Sequence, residues 1–112
     1  MHELGISRNI AAIVGEAAGG RRVRRILIDV GRLSGVVPDA LLFCFDAVTQ
    51  GTALEGARLE IREIAGRARC QACEVEFAVD TFLASCACGS RRLAHVAGEE
   101  LNVKAMELDE VA

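Results

Sequence analysis

Apolar side chains recur every three or four positions over residues 4–18, which predicts an amphipathic helix with one buried stripe. The members of this stripe are Ile6, Ile10, Ile13, Val14 and Ala17. Gly19 and Gly20 follow the stripe and predict the end of the helix. A second helix is predicted over residues 38–49, because Pro38 is tolerated at a first helical position.

Alternation of apolar and polar residues predicts three strands, at residues 22–30, 57–64 and 100–108. In the last of these the phase of the alternation changes at Met106. A β-bulge, or a strand covered on both faces, would explain that change.

The elements follow the order helix, strand, helix, strand, cysteine-containing segment, strand. This order predicts an α/β (α+β) fold, in which a small three-stranded sheet is covered by two helices. Residues 66–98 are predicted to form an inserted hairpin module with short strands near Val75–Val79 and 93–96. The remaining residues, 1–65 and 99–112, are predicted to form the α/β domain.

Composition narrows the class of protein. The chain has 112 residues, of which 52% are hydrophobic, so it can bury a modest core and is not expected to be disordered. Its formal net charge of −3 gives no electrostatic reason to expect a nucleic-acid partner. No apolar run is long enough to span a membrane, and no secretory signal is recognisable. Five cysteines, an odd number, argue against a disulfide framework, and we expect a cytoplasmic protein.

Four of the cysteines form two close pairs, Cys70-Gln-Ala-Cys73 and Cys86-Ala-Cys88-Gly89. Paired thiols on tight turns are typical of a four-sulfur zinc site, and a closed set of this kind indicates a structural metal. The second pair has one spacer residue fewer than usual, and Gly89 can adopt a positive φ that helps the chain to wrap. Two alternatives remain open: three cysteines with His95 as the fourth ligand, and a redox-active dithiol.

The amino terminus offers a second set of ligands. The α-amine of Met1, the amide nitrogens that follow and the His2 imidazole can surround one metal ion in a plane. Such nitrogen coordination suits Ni(II) or Cu(II). Glu3 adds a carboxylate that could orient His2 or bind the metal.

Several segments, spread in order over the whole chain, resemble the HypA/HybF family of nickel chaperones for [NiFe]-hydrogenase maturation. They are Met1–Leu4, Asp29–Val36, Pro38–Leu41 followed by Phe43 and Phe45, Glu55–Leu59, Cys88–Ser90 and Gly98–Lys104. The chain departs from the family pattern at the second cysteine pair. Ser85 occupies the position of that pair's first cysteine, and Cys86 occupies the position of a proline.

The resemblance implies a nickel-binding α/β domain and a separate zinc-binding module. It implies transient Ni(II) binding through Met1, His2 and Glu3, and structural Zn(II) on Cys70, Cys73, Cys86 and Cys88. The implied partners are the HypB GTPase and the hydrogenase large-subunit precursor, with no nucleic acid and no membrane, and with the chain a monomer or a weak dimer. A protein of this family delivers a metal and is not an enzyme.

A competing interpretation is a zinc-ribbon module that binds a protein or a nucleic acid and carries no nickel. That interpretation predicts a basic or aromatic face, whereas the chain has only small arginine clusters, four Phe, no Trp and no Tyr. Under the leading interpretation, the exposed flank of the first helix, including Arg8 and Glu16, is predicted to be the docking surface for the GTPase.

Overall fold

The computed structural model describes residues 2–109, which form two helices and two three-stranded sheets. The elements are α1 (Glu3–Ala18), β1 (Val23–Gly31), α2 (Pro38–Thr49), β2 (Arg58–Ile64), β3 (Arg67–Cys70), β4 (Glu76–Ala78), β5 (Leu93–Ala97) and β6 (Leu101–Leu108). The predicted fold class is confirmed, and the five long elements begin and end close to their predicted bounds.

The first sheet has the strand order β2-β1-β6. Strand β1 is central and runs parallel to β2 through the α2 crossover, and antiparallel to β6. Its side chains Ile26, Ile28 and Val30 are buried against the helices. On the opposite face Arg62 donates two hydrogen bonds to the Asp29 carboxylate, at 2.7 and 2.9 Å, and these fix the register of β1 and β2.

The two helices lie side by side and point in the same direction. The Ser7 hydroxyl donates to the Leu41 carbonyl at 3.3 Å, and the Val37 N–H donates to the Glu3 carboxylate at 3.0 Å. Both contacts join residues 34 positions apart, so α1 and α2 advance together from adjacent amino-terminal ends. The amino terminus of α1 is therefore beside that of α2.

The bulge of β6 matches its prediction, whereas the buried stripe of α1 matches only in part. The predicted bulge is present: the register of β1 and β6 shifts between Leu27 and Ile28, which leaves Lys104 as an extra residue in β6. The predicted buried stripe of α1 is partly wrong, since Ile13 and Ala17 are exposed. Only three strands lie beneath the two helices, and Ile13 lines an open cavity beside the edge strand β6.

The second sheet has the order β4-β3-β5, with both pairs antiparallel. Strand β4 and strand β5 match the two predicted short strands, whereas the central strand β3 was not predicted. Its four residues, Arg-Ala-Arg-Cys, carry no large apolar side chain that would produce an alternating pattern. The core of this sheet is a small cluster of Leu33, Ala68 and Val79.

The two sheets meet in a tight junction to which the loop after β1 contributes. Leu33 lies in the loop that follows β1, and its side chain is buried in the core of the second sheet. Its N–H donates to the Gly98 carbonyl at 2.7 Å, and the Gly31 N–H donates to the Glu100 carbonyl at 2.8 Å. A Cβ added at Gly31 would lie 1.9 Å from the Gly98 oxygen, so the backbones approach more closely than any side chain allows.

The connections between the sheets fall at residues 65–66 and 98–100. The predicted division into a domain of residues 1–65 and 99–112 and a module of residues 66–98 stays a prediction, and residues 110–112 lie outside the described part. No helix within residues 2–109 is both long enough and apolar enough to cross a membrane.

Candidate metal sites

The structure brings four thiols of the second sheet together. The sulfur atoms of Cys70, Cys73, Cys86 and Cys88 all lie within 4.8 Å of one another. The Cys70 and Cys88 sulfurs are 3.7 Å apart, and the Cys73 and Cys86 sulfurs are 3.5 Å apart. Four sulfurs bound to one Zn²⁺ at about 2.3 Å would be about 3.8 Å from one another. The cluster therefore has the donor set and nearly the dimensions of a tetrahedral zinc–thiolate centre.

The first cysteine pair is held by a turn that follows β3. The Cys70 N–H donates to the Val75 carbonyl, and the Glu74 N–H donates to the Cys70 carbonyl at 2.8 Å. Glu74 adopts a φ of 66°, which is unusual for a residue other than glycine. The Ala72 N–H points at the Cys70 sulfur, 3.4 Å away. The turn thus directs a backbone dipole at the thiolate.

The second pair uses a tighter turn that compensates for its missing spacer residue. The Cys86 N–H donates to the Ser90 carbonyl, and the Gly89 N–H donates to the Cys86 carbonyl, both at 2.8 Å. Gly89 has a φ of 93°, as its predicted role requires. This turn directs the Cys86 and Cys88 sulfurs toward the first pair, so the short spacing is compatible with a common centre.

The thiols differ in acidity. Backbone N–H groups of Cys73 and Ala72 stabilise the Cys70 thiolate and lower its pKa to about 6. The backbone at Cys88 lowers the pKa of Cys86, but burial and the neighbouring sulfurs outweigh this effect and raise it to about 12. The backbone around Cys70 therefore favours its thiolate, and a dipositive ion bound there would promote ionisation of neighbouring thiols.

His95, the alternative fourth ligand, lies on β5 and is not part of the cluster. Its ring packs edge-on against Phe82, with the ring centroids 4.8 Å apart. Its Nε2 atom is buried and has no hydrogen-bond partner among the described residues. The four-cysteine set is thus favoured over three cysteines with His95.

The amino-terminal residues lie at the start of α1, beside the start of α2. His2 is exposed and occupies the N-cap of α1, where its side chain makes no capping hydrogen bond. Its carbonyl accepts the Ile6 N–H at 3.1 Å. The N–H groups of a first helical turn have no backbone carbonyl acceptor within the helix, so those of His2 and Glu3 take no part in its hydrogen-bond ladder. The Glu3 N–H instead stabilises the Glu3 carboxylate. Met1, the third predicted nickel ligand, lies outside the described residues.

Glu3 has a contact that the sequence did not reveal. Its carboxylate accepts the Val37 N–H at the start of α2, and this hydrogen bond lowers the pKa of Glu3. The positive ends of two helix dipoles meet here, and both favour a negative charge. Nothing in the local sequence links residues 34 positions apart, so only the parallel packing of the helices identifies Val37 as the partner.

The fold and the thiol cluster define a small α/β protein with one candidate tetrahedral metal centre. A family model described as "Hydrogenase/urease nickel incorporation, metallochaperone, hypA" matches residues 1–108. The chain therefore belongs to the HypA family of nickel-incorporation metallochaperones.

Relatives agree with this assignment over nearly their whole length. The chain is 53% identical to "Hydrogenase maturation factor HypA" of Nostoc sp. over 111 residues, covering 99% of this chain and 98% of that protein. It is 47% identical to the protein of the same name from Geobacter metallireducens over 110 residues, covering 97% of this chain and 100% of that protein.

The solved structures include the solution structure of the Ni metallochaperone HypA from Helicobacter pylori. It superimposes with a TM-score of 0.70 at 19% identity, covering 96% of this chain and 97% of that chain. At that identity the likeness shows the fold alone, including the association of two helices with two small sheets.

Proposed function

We propose that this protein binds Ni(II) at its amino terminus and delivers it to the [NiFe]-hydrogenase large-subunit precursor. The observation that carries the proposal is the exposed His2 at the N-cap of α1, in a chain of a nickel-incorporation family. The ligands would be the α-amine of Met1, the nearby amide nitrogens and the His2 imidazole. Nickel is the cargo of this site.

The position of these ligands supports loose binding. A nickel ion at an exposed chain end is open to an acceptor from several directions. Amide nitrogens must lose a proton to bind a metal, and the positive end of the α1 dipole favours the resulting negative charge. Each nitrogen ligand competes with protons, so acid should weaken binding, and an acceptor with better donors can remove the metal.

Glu3 is better placed to orient this site than to bind the metal. Its Oε2 accepts the Val37 N–H, so the carboxylate is turned toward α2. This contact fixes the first turn of α1 against the second helix. The main chain of His2 and Glu3 is then held in position beneath the incoming metal.

The four-cysteine cluster would hold Zn(II) as a structural ion. Four thiolates complete the coordination of a tetrahedral zinc ion. Two of these four cysteines are buried, and the four come from two separate turns. Bound zinc would link those turns and would stabilise the second sheet, which has a core of only three buried hydrophobic residues.

The remaining parts of the proposal follow from delivery of a metal. The protein would act in the cytoplasm, would catalyse no reaction and would work with the HypB GTPase as its partner. Arg8 and Glu16, both exposed on α1, remain the proposed contacts for that partner.

Calorimetric titration with Ni(II) tests the nickel site. Wild-type protein and Glu16→Ala, a control on the same helix, should each bind one ion, whereas His2→Ala should bind none. Zinc content should be equal in all three. Undiminished nickel binding by His2→Ala would contradict the proposal.

A further inference from the structure

An apolar groove lies between α1 and the edge strand β6. It has a volume of about 430 Å³ and is lined mainly by six apolar side chains. These are Ile6, Ile10, Ile13, Ile28, Leu101 and Val103. Ile10 and Ile28 form its buried floor, whereas Ile13 is 57% exposed and Leu101 is 38% exposed.

A second cavity of about 480 Å³ continues this groove toward the second sheet. Both cavities share Leu101 and Asn102, so they form one surface, which we call the edge groove. Beyond the shared residues it is lined by His95, Val96 and Glu99, and Val96 is 51% exposed. The edge groove thus extends from α1 to β5, across both parts of the fold.

The charges around the edge groove have one sign. Glu99 and Glu100 line it, and Glu16 lies three residues beyond Ile13 on the same side of α1. Among the described residues that line either cavity, none is a lysine or an arginine. The only basic residue of β6 is Lys104. The pKa of Asp29, on the opposite face of the sheet, is lowered by its hydrogen bond from Arg62 and, to a smaller extent, by the charge of Lys104. This lysine therefore acts on the face opposite the groove.

The edge of the sheet is unsuited to an added strand. Strand β6 carries its bulge at Lys104, and a bulge with a lysine is a common device that blocks strand addition. The groove beside β6 has instead a buried apolar floor and exposed apolar side chains at Ile13 and Leu101, which suit the apolar face of a helix.

A second copy of this chain is a poor occupant. Helix α2 contains no lysine or arginine, and α1 contains only Arg8 against two glutamates. Neither helix offers the positive charge that Glu16, Glu99 and Glu100 would complement.

We propose that the edge groove docks a basic amphipathic helix of a partner protein, with its apolar stripe on Ile13 and Leu101. In assigning that partner to nickel transfer, the inference rests on the proposed function. Ile6 lies one helical turn from His2, and its backbone N–H binds the His2 carbonyl, so the docked helix would be held beside the amino terminus. The partner would make contact with both parts of the fold at once.

Fluorescence anisotropy with two designed peptides tests the proposal. Each peptide is a helix of about five turns with one leucine stripe, and the polar positions are lysine in the first and glutamate in the second. Wild-type protein should bind the lysine peptide and not the glutamate peptide. Ile13→Ser should bind the lysine peptide about tenfold more weakly, which corresponds to about 1.4 kcal/mol.

Phe43→Ser is the matched control. Phe43 is 77% exposed on α2 and does not line the edge groove, so its loss removes exposed apolar surface elsewhere. This variant should bind the lysine peptide as wild type does. Glu99→Gln should weaken binding a few-fold and reduce its dependence on salt, because it removes one charge from the rim.

Four results would contradict the docking proposal. Equal affinity of wild type and Ile13→Ser, equal binding of the two peptides, or no binding of either would each overturn the docking proposal. A dimer in sedimentation that Ile13→Ser dissociates would assign the groove to a second copy and would also overturn it. His2→Ala should keep full peptide affinity, so a failure of the nickel proposal is seen separately in the nickel titration.

Discussion

The two candidate metal sites differ in how the fold builds them. The four thiols come from two turns, and backbone hydrogen bonds at Cys70, Glu74, Cys86 and Gly89 direct them to one point. The proposed amino-terminal ligands are consecutive in the chain, and His2, which the structure describes, is exposed at the N-cap of α1. A site whose ligands are brought together by the fold should retain its metal for the life of the protein. A site made of consecutive residues at an exposed helix end should exchange its metal.

Under the proposed function, this contrast would separate a structural metal from a metal that is cargo. Removal of zinc from the thiol cluster should then damage the fold, because a bound zinc ion would join two turns next to a core of three buried hydrophobic residues. Removal of nickel from the amino terminus should leave the fold intact, because the core under α1 does not involve His2. The following predictions test each half of that contrast, in order of decreasing effect.

The largest effect is expected for Cys88→Ser. Loss of one thiolate opens the tetrahedral set, and structural zinc contributes about 10–16 kcal/mol of binding free energy in zinc-finger peptides. Zinc should fall well below one ion per chain, and residues 66–98 should become sensitive to protease. Elemental analysis and limited proteolysis measure both.

Cys44→Ser is the control for this experiment, because Cys44 is the one cysteine outside the cluster. It should retain zinc and protease resistance. Wild-type zinc content in Cys88→Ser would show that the four-cysteine set is not the zinc site.

A smaller effect is expected at the junction of the two sheets. Leu33→Ala removes a buried side chain from the core of the second sheet and should destabilise it by about 2–5 kcal/mol. Amide hydrogen exchange should become faster in β3 and β5, with less change in β1. Leu83→Ala, at an exposed leucine, should change little; equal effects of the two variants would mean that Leu33 does not link the sheets.

The smallest effect concerns the start of α1 and its dependence on pH. The pKa of Glu3 is lower in the folded protein than its usual value of about 4.3, because the Val37 N–H stabilises the carboxylate. Its contribution to stability is therefore complete above about pH 4.3 and is lost as the pH falls through the lower, folded pKa. Exchange of the Val37 amide should accelerate in that acid range.

Glu3→Gln keeps an acceptor oxygen and removes the titration. In this variant the exchange of the Val37 amide, corrected for its intrinsic pH dependence, should show no transition in acid. A transition that persists would mean that another group protects Val37.

Much of the fold was predictable because it depends on local pattern. Pro38 marks the start of α2, and the altered phase at Met106 indicated the bulge that the structure places at Lys104. Strand β3 escaped prediction because its arginines and small residues carry no alternating signal. The burial of Leu33 in the second core was equally hidden, since it depends on how the two sheets meet.

The candidate sites likewise have some features that follow from local sequence and others that depend on how the elements pack. Cysteine spacing indicated the thiol cluster, and the structure adds the turn at Gly89 that accommodates the short second pair. The link from Glu3 to Val37 and the exposure of Ile13 depend on the placement of α1 beside α2 and above the edge of the sheet. Periodicity alone placed Ile13 in the core.

The central claim is that nickel binds to the amino terminus itself, apart from the thiol cluster. The most direct measurement compares nickel and zinc content of the untagged protein with those of a form that carries extra residues before Met1. Extension moves the α-amine away from His2 and leaves both side chains present. The extended protein should lose most of its nickel affinity while keeping its zinc. Equal nickel affinity of the two forms would contradict the claim, because the terminal amine would then not be a ligand.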